Sequence, residues 1–158
     1  MKKFIIPILF CFTVHCGFAQ KATNMSTPKV APNGTMNFSV MDNAPQFKGC
    51  ENTGSKREKN KCTSQKIENF IQEAFNKNVA STIPSNSENI SVYIRFIVNT
   101  NGGIENVGVR TNNPVLLKEV ERIVKTLPNF SRGTHQGMNI NASYAVTLES
   151  NKLLNRTR

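Results

Sequence analysis

The side chains best suited to chemistry in this sequence are Cys50 and Cys62, in a C-x11-C spacing, His135, and the sole aspartate, Asp42. A nucleophilic triad would need His135 and Asp42 to join a serine, but neither sits in a motif of that kind. Zinc would need ligands beyond two cysteines and one histidine, and the cysteine spacing fits no finger or ribbon. Asn101-Gly102-Gly103 precedes a strand pattern rather than a helix, so it is a turn and not a phosphate cradle. No catalytic, cofactor or metal constellation emerges, and the expectation is a binding domain rather than an enzyme. The cysteine pair keeps three readings until its compartment is known: metal ligand, redox centre or covalent staple.

The first nineteen residues supply the compartment. Lys2 and Lys3 precede an apolar run from Phe4 to Val14, and Gly17-Phe18-Ala19 forms a small-x-small cleavage site before Gln20. Export with cleavage after Ala19 is the primary reading. Lipid attachment at Cys16 is the alternative, and an uncleaved anchor ranks last. Phe4 to Ala19 falls short of a hydrocarbon core of about 30 Å and is interrupted by Pro7 and His15. Loss of Lys2 and Lys3 takes the formal charge from +10 to +8. Outside the cytoplasm that excess suits anionic envelope polymers, including peptidoglycan, lipid head groups or acidic partner surfaces. Nucleic acid is not expected: Phe70, Phe75 and Phe96 fall on core faces, leaving Tyr93 as the outward aromatic.

Export also orders the readings of the cysteines. Cys50 and Cys62 are the two that remain after cleavage, in a compartment where disulfides persist. No third ligand supports zinc and no C-x-x-C spacing supports redox work. A disulfide is therefore expected, leaving Glu51 to Lys61 as a basic surface loop.

Five elements position these residues. Residues 20–43 are polar, contain Pro28, Pro32 and Gly34, and are expected to be a flexible leader, with order beginning near Phe38 to Phe47. Ile67, Phe70, Ile71, Ala74, Phe75 and Val79 make a helical stripe over Ser64 to Val79, with Thr63 or Ser64 as the cap. Ile90, Val92, Ile94, Phe96 and Val98 alternate with more polar neighbours, giving a strand with one buried face. The Asn101-Gly102-Gly103 turn returns the chain as a second strand from about Ile104 to Thr111. Asn113 caps a second helix, with Pro114 at its first position, that Pro128 ends after Leu127. Ile140, Ala142, Tyr144, Val146 and Leu148 define a third strand, followed by a polar tail at 150–158.

The expected fold is α+β, a two-layer three-stranded antiparallel sheet with two helices on one face. The strand order second, first, third leaves the third strand at an edge. That strand has no proline and no charge between Met138 and Leu148, so it lacks the usual devices that blunt an edge. An extended segment docking there by strand addition is the expected mode of binding.

Several motifs together resemble the C-terminal domain of TonB, in its Bacteroidota type. They are Phe96 with Val98, Asn101-Gly102, Ile104 with Val107 and Val109, Glu119 with Arg122, Leu127-Pro128 with Phe130, and Ile140 to Tyr144. The upstream Pro45-Gln46-Phe47-Lys48-Gly49-Cys50 and Cys62 match the paired-cysteine start of that subgroup. The resemblance covers about residues 44–149. It implies a periplasmic domain that grips the TonB box, a short extended segment of outer-membrane TonB-dependent transporters, in energy-dependent transport. The implied docking strand is Asn139, Ile140, Asn141, Ala142, Ser143, Tyr144, Ala145, Val146, Thr147 and Leu148. Residues 20–43 are too few for the long spacer that the family uses to reach its inner-membrane motor. A binder is therefore the expectation, and an envelope scaffold or adaptor without energy coupling is the alternative.

Overall fold

The computed structural model describes residues 34–75, 77–83 and 90–153. The expected signal at 1–19 and most of the expected leader lie outside the described residues. The fold is α+β: a mixed four-stranded sheet, a small two-stranded sheet, and two main helices packed against the larger one. The elements are β1 (Thr35–Asn37), α1 (Lys56–Ala74), α2 (Lys77–Ser81), β2 (Ser91–Val98), β3 (Ile104–Arg110), α3 (Pro114–Val124), β4 (Thr134–His135), β5 (Met138–Asn139), β6 (Asn141–Glu149) and α4 (Ser150–Leu153). The main sheet has the order β1-β6-β2-β3.

The antiparallel trio β6-β2-β3 is the expected order. β2 pairs with β6 from Ser91↔Glu149 to Val98↔Ala142, and with β3 from Tyr93↔Arg110 to Val98↔Ile104. Alternation sends Val92, Ile94, Phe96 and Val98 of β2, and Ala142, Tyr144, Val146 and Leu148 of β6, into the core. There they meet Ile67 and Ile71 of α1 and Leu116, Val120, Ile123 and Val124 of α3. Tyr93, Arg95, Ala145 and Thr147 face away from the helices and are exposed.

Three expectations need correction. The sheet has a fourth strand, because Thr35–Asn37 pairs with β6 in parallel, so the leader acquires structure before Phe38. The first helix starts eight residues earlier than expected, at Lys56 rather than Ser64. Ser55 is its cap: Oγ accepts from the Glu58 N–H, and the Glu58 carboxylate accepts from the Ser55 N–H at 2.7 Å. Half of the expected basic loop is therefore the first turns of α1. Thr63 is no cap but a buried mid-helix residue; its hydroxyl donates to Gln46 Oε1 at 2.7 Å and accepts from the Phe47 N–H at 3.2 Å. The helix also stops at Ala74, short of Val79. The tail, finally, begins as the short helix α4, in which Ser150 and Leu153 are buried.

The second main helix starts as expected. Asn113 Oδ1 accepts from the N–H groups of Val115 and Leu116 at 2.9 and 3.0 Å, with Pro114 next in sequence. Beyond α3, Phe130 docks on the β2–β3 turn through its N–H, which donates to the Gly102 carbonyl at 2.9 Å. Gly102 has φ +88, and any Cβ there would collide with the Phe130 carbonyl. Glycine at that turn thus serves two needs, the left-handed backbone and the close approach.

Cys50 and Cys62 are joined in a disulfide, with Cα atoms 5.7 Å apart. Cys62 lies on α1, so the bond ties the segment after Phe47 to the second turn of the helix. Closing a loop this short removes unfolded-state entropy worth about 3 kcal/mol in the chain-entropy account. The paired variant Cys50→Ser/Cys62→Ser should lose about 3 kcal/mol in denaturant unfolding, while intact mass in the native protein shows no free thiol at either position.

Candidate docking edge

The expected docking residues do not form one continuous edge. Met138 and Asn139 belong to β5, which pairs with β4 through Thr134↔Asn139 and His135↔Met138 around a tight turn at Gln136 and Gly137. Ile140 is the link, its N–H donating to the Gly133 carbonyl at 3.2 Å. Only from Asn141 onward is the chain part of the main sheet. Of that strand, Asn141, Ala142 and Ser143 are already paired with Thr35, Met36 and Asn37.

What remains open begins after Ser143. The Phe38 N–H donates to the Ser143 carbonyl at 3.2 Å, so the backbone groups of Ser143 point outward. By the two-residue alternation of a strand, those of Ala145 and Thr147 do too. β1 does not follow them, because its chain turns away: the Val40 N–H donates to the Asn37 carbonyl, and Phe38 tucks inward. Among the described residues, no strand pairs with the outer edge of β6 beyond Ser143. The free edge is therefore Tyr144 to Glu149.

The segment between β1 and α1 holds that strand from the side. Tyr144 is stacked between Phe38, at 4.3 Å between ring centroids, and Phe96, at 5.4 Å, with Phe130 tilted against it. Its hydroxyl donates to the Pro45 carbonyl in the interior. Burial pushes the phenol well above its ordinary range, so the group stays a neutral donor. Gln46 and Ser131 exchange two further bonds, and Asn43 and Thr134 bridge as in an antiparallel pair.

The structure also brings together His135 and Asp42, which the sequence leaves far apart. His135 Nδ1 lies 3.3 Å from Asp42 Oδ2, without hydrogen-bond geometry, while the same carboxylate accepts from the Gln136 N–H at 2.8 Å. That N–H, with smaller contributions from His135 and Lys56, holds the Asp42 carboxyl below its ordinary value of 3.8. The pair clasps the β4–β5 hairpin to the segment before α1. His135 lies on β4, and its side chain is 12% exposed. Among the described residues, no group of three His, Cys, Asp or Glu side chains could hold a metal. The Glu119–Arg122 motif is a bidentate pair within α3, with bonds of 2.7 and 2.9 Å. No described helix is long and apolar enough to cross a membrane.

No family model, curated protein or solved structure matches this chain.

Sequence reasoning misses β1 because three residues, Thr-Met-Asn, carry no periodicity. It misses the start of α1 because Lys56 to Lys61 contain no apolar residue, although the Ser55-x-x-Glu58 box is visible. Two measurements check the anchoring of the edge. Tyr144→Phe keeps the aromatic stack but orphans a buried carbonyl, which should cost about 1–3 kcal/mol in thermal or denaturant unfolding. Asp42 has its folded pKa depressed, so its contribution is present above about pH 4 and is lost as pH falls through the lower folded value. An acid titration followed at the Gln136 amide should show that step, and Asp42→Asn should abolish it.

Proposed function

We propose that this protein is an exported binding domain that captures an extended peptide segment by strand addition along Tyr144 to Glu149 of β6. One observation carries the reading: the same edge already accepts an extended segment, β1, over Asn141 to Ser143, and then stands open. Backbone hydrogen bonds to Ala145 and Thr147 would supply affinity, and the side chains beside them selectivity.

The motif resemblance to TonB C-terminal domains suggests the occupant, a TonB-box segment of an outer-membrane transporter. The apolar leader at residues 4–19 and the Cys50–Cys62 disulfide support a location in the periplasm, with cleavage after Ala19 or, second, lipid on Cys16. An envelope scaffold on peptidoglycan rests only on the formal charge of +8 that remains once Lys2 and Lys3 are lost from +10, and is the second reading.

Synthetic TonB-box peptides titrated into the isotope-labelled protein should shift the amides of Ala145, Thr147 and their neighbours. Ala145→Pro removes an outward N–H while leaving the ladder to β2 intact, and it should weaken binding about threefold to tenfold, the worth of a single edge bond. Silence at millimolar peptide, or shifts confined to other surfaces, would overturn the proposal.

A further inference from the structure

The open face of the sheet is not flat. Beside the free edge it holds a trough of about 510 Å³ lined by Tyr93, Arg95, Gly108, Arg110, Ala145 and Thr147, with strand backbone beneath. The registers explain its shape. Arg95 stands between Gly108 on β3 and Ala145 on β6, so neither neighbour fills the space beside it. Tyr93, 55% exposed, stands between Arg110 and Thr147. The wall nearest the open edge is therefore made only of the short side chains of Ala145 and Thr147.

Arg95 and Arg110 make the trough positive. Neither Arg95 nor Arg110 forms an ion pair among the described residues. The carboxylates at the two ends of this face are engaged elsewhere, Glu105 by the Asn99 amide and Glu149 by the Ser91 hydroxyl. A strand added beside β6 would lie two strand spacings from β2, about 10 Å. That is the combined reach of an arginine and a glutamate side chain pointing at each other over Ala145.

We infer that the docked segment carries an acidic side chain opposite Ala145, which enters the trough and is read by Arg95, with Arg110 extending the positive field and Tyr93 packing on its stem. This rests on the strand-addition reading and adds a rule of selection to it: an extended acidic peptide is preferred to a neutral one of the same shape. The bond would be charge-assisted but solvent-exposed, so its effect is modest and falls with salt.

The probes are acetylated eight-residue peptides of alternating threonine and valine with one central glutamate, glutamine or lysine, titrated by NMR. The glutamate peptide should bind about fivefold more tightly than the glutamine peptide at low salt, the upper end for an exposed pair, and the lysine peptide most weakly. Arg95→Gln should bring the glutamate-to-glutamine ratio to within about twofold, whereas Lys125→Gln, the same charge change at the C-terminal cap of α3, should leave it standing. Equal affinity of the glutamate and glutamine peptides, with Ala145 and Thr147 shifting in both, would overturn the acidic preference and spare strand addition. No binding by any peptide would overturn both. Shifts at Arg95 without shifts at the edge amides would show a simple anion site and overturn the inference. Concentration-dependent edge shifts without peptide would assign the trough to a second copy of this chain, overturning it too.

Discussion

Much of the structure depends on how Tyr144 is held. Its ring lies on the core face of β6 between Phe38 and Phe96, and its hydroxyl reaches the Pro45 carbonyl on the far side of the same interior. A buried phenol must find an acceptor or lose the hydrogen bonds it had with water. Meeting that requirement at Pro45 draws the segment before α1 across the end of the sheet. From there Gln46 reaches Thr63 on α1 and Ser131 in the loop after α3, and Cys50 is bonded to Cys62. One residue of β6 is thereby linked to α1 and to the loop that follows α3.

The same arrangement determines how much edge is left. β1 is only three residues long, and its partner register ends at Asn37↔Ser143. Phe38 then turns into the aromatic stack against Tyr144 instead of continuing along the strand. Among the described residues, the edge is thus occupied at its start and open from Tyr144 onward. A sheet edge of this kind invites pairing, and it lacks proline and charge until Glu149. Where the edge is open, the adjoining face is also hollow and positive, because Gly108 and Ala145 flank Arg95. A segment docked there as proposed would meet the edge backbone and the arginine face with the same residues.

The disulfide has a structural place rather than a chemical one. Cys50 is fully buried, and the bond lies where the chain passes from extended backbone into α1. The Ser55–Glu58 box starts that helix in a stretch with no apolar side chains, so local capping and a covalent tie do the work that burial does elsewhere.

The sequence by itself determined the elements that repeat a period. The alternation in Ser91 to Val98 and Asn141 to Glu149, the Asn113-Pro114 start of α3 and the Gly102 turn are all local rules, since each depends on residues within a few positions. The two-layer packing follows, because one-sided helices and strands must cover one another. The early turns of α1 escaped because a capping box without an apolar stripe is a weak signal beside a strong stripe at Ile67 to Phe75. Only the tertiary structure decided the remainder: β1, the pairing of Asp42 with His135 across the fold, and the division of the third strand into a hairpin arm, a covered stretch and a free edge. Each is a contact between segments distant in sequence. Its stability comes from what lies opposite in space, and no periodicity within Thr35–Asn37 or Thr134–His135 records that.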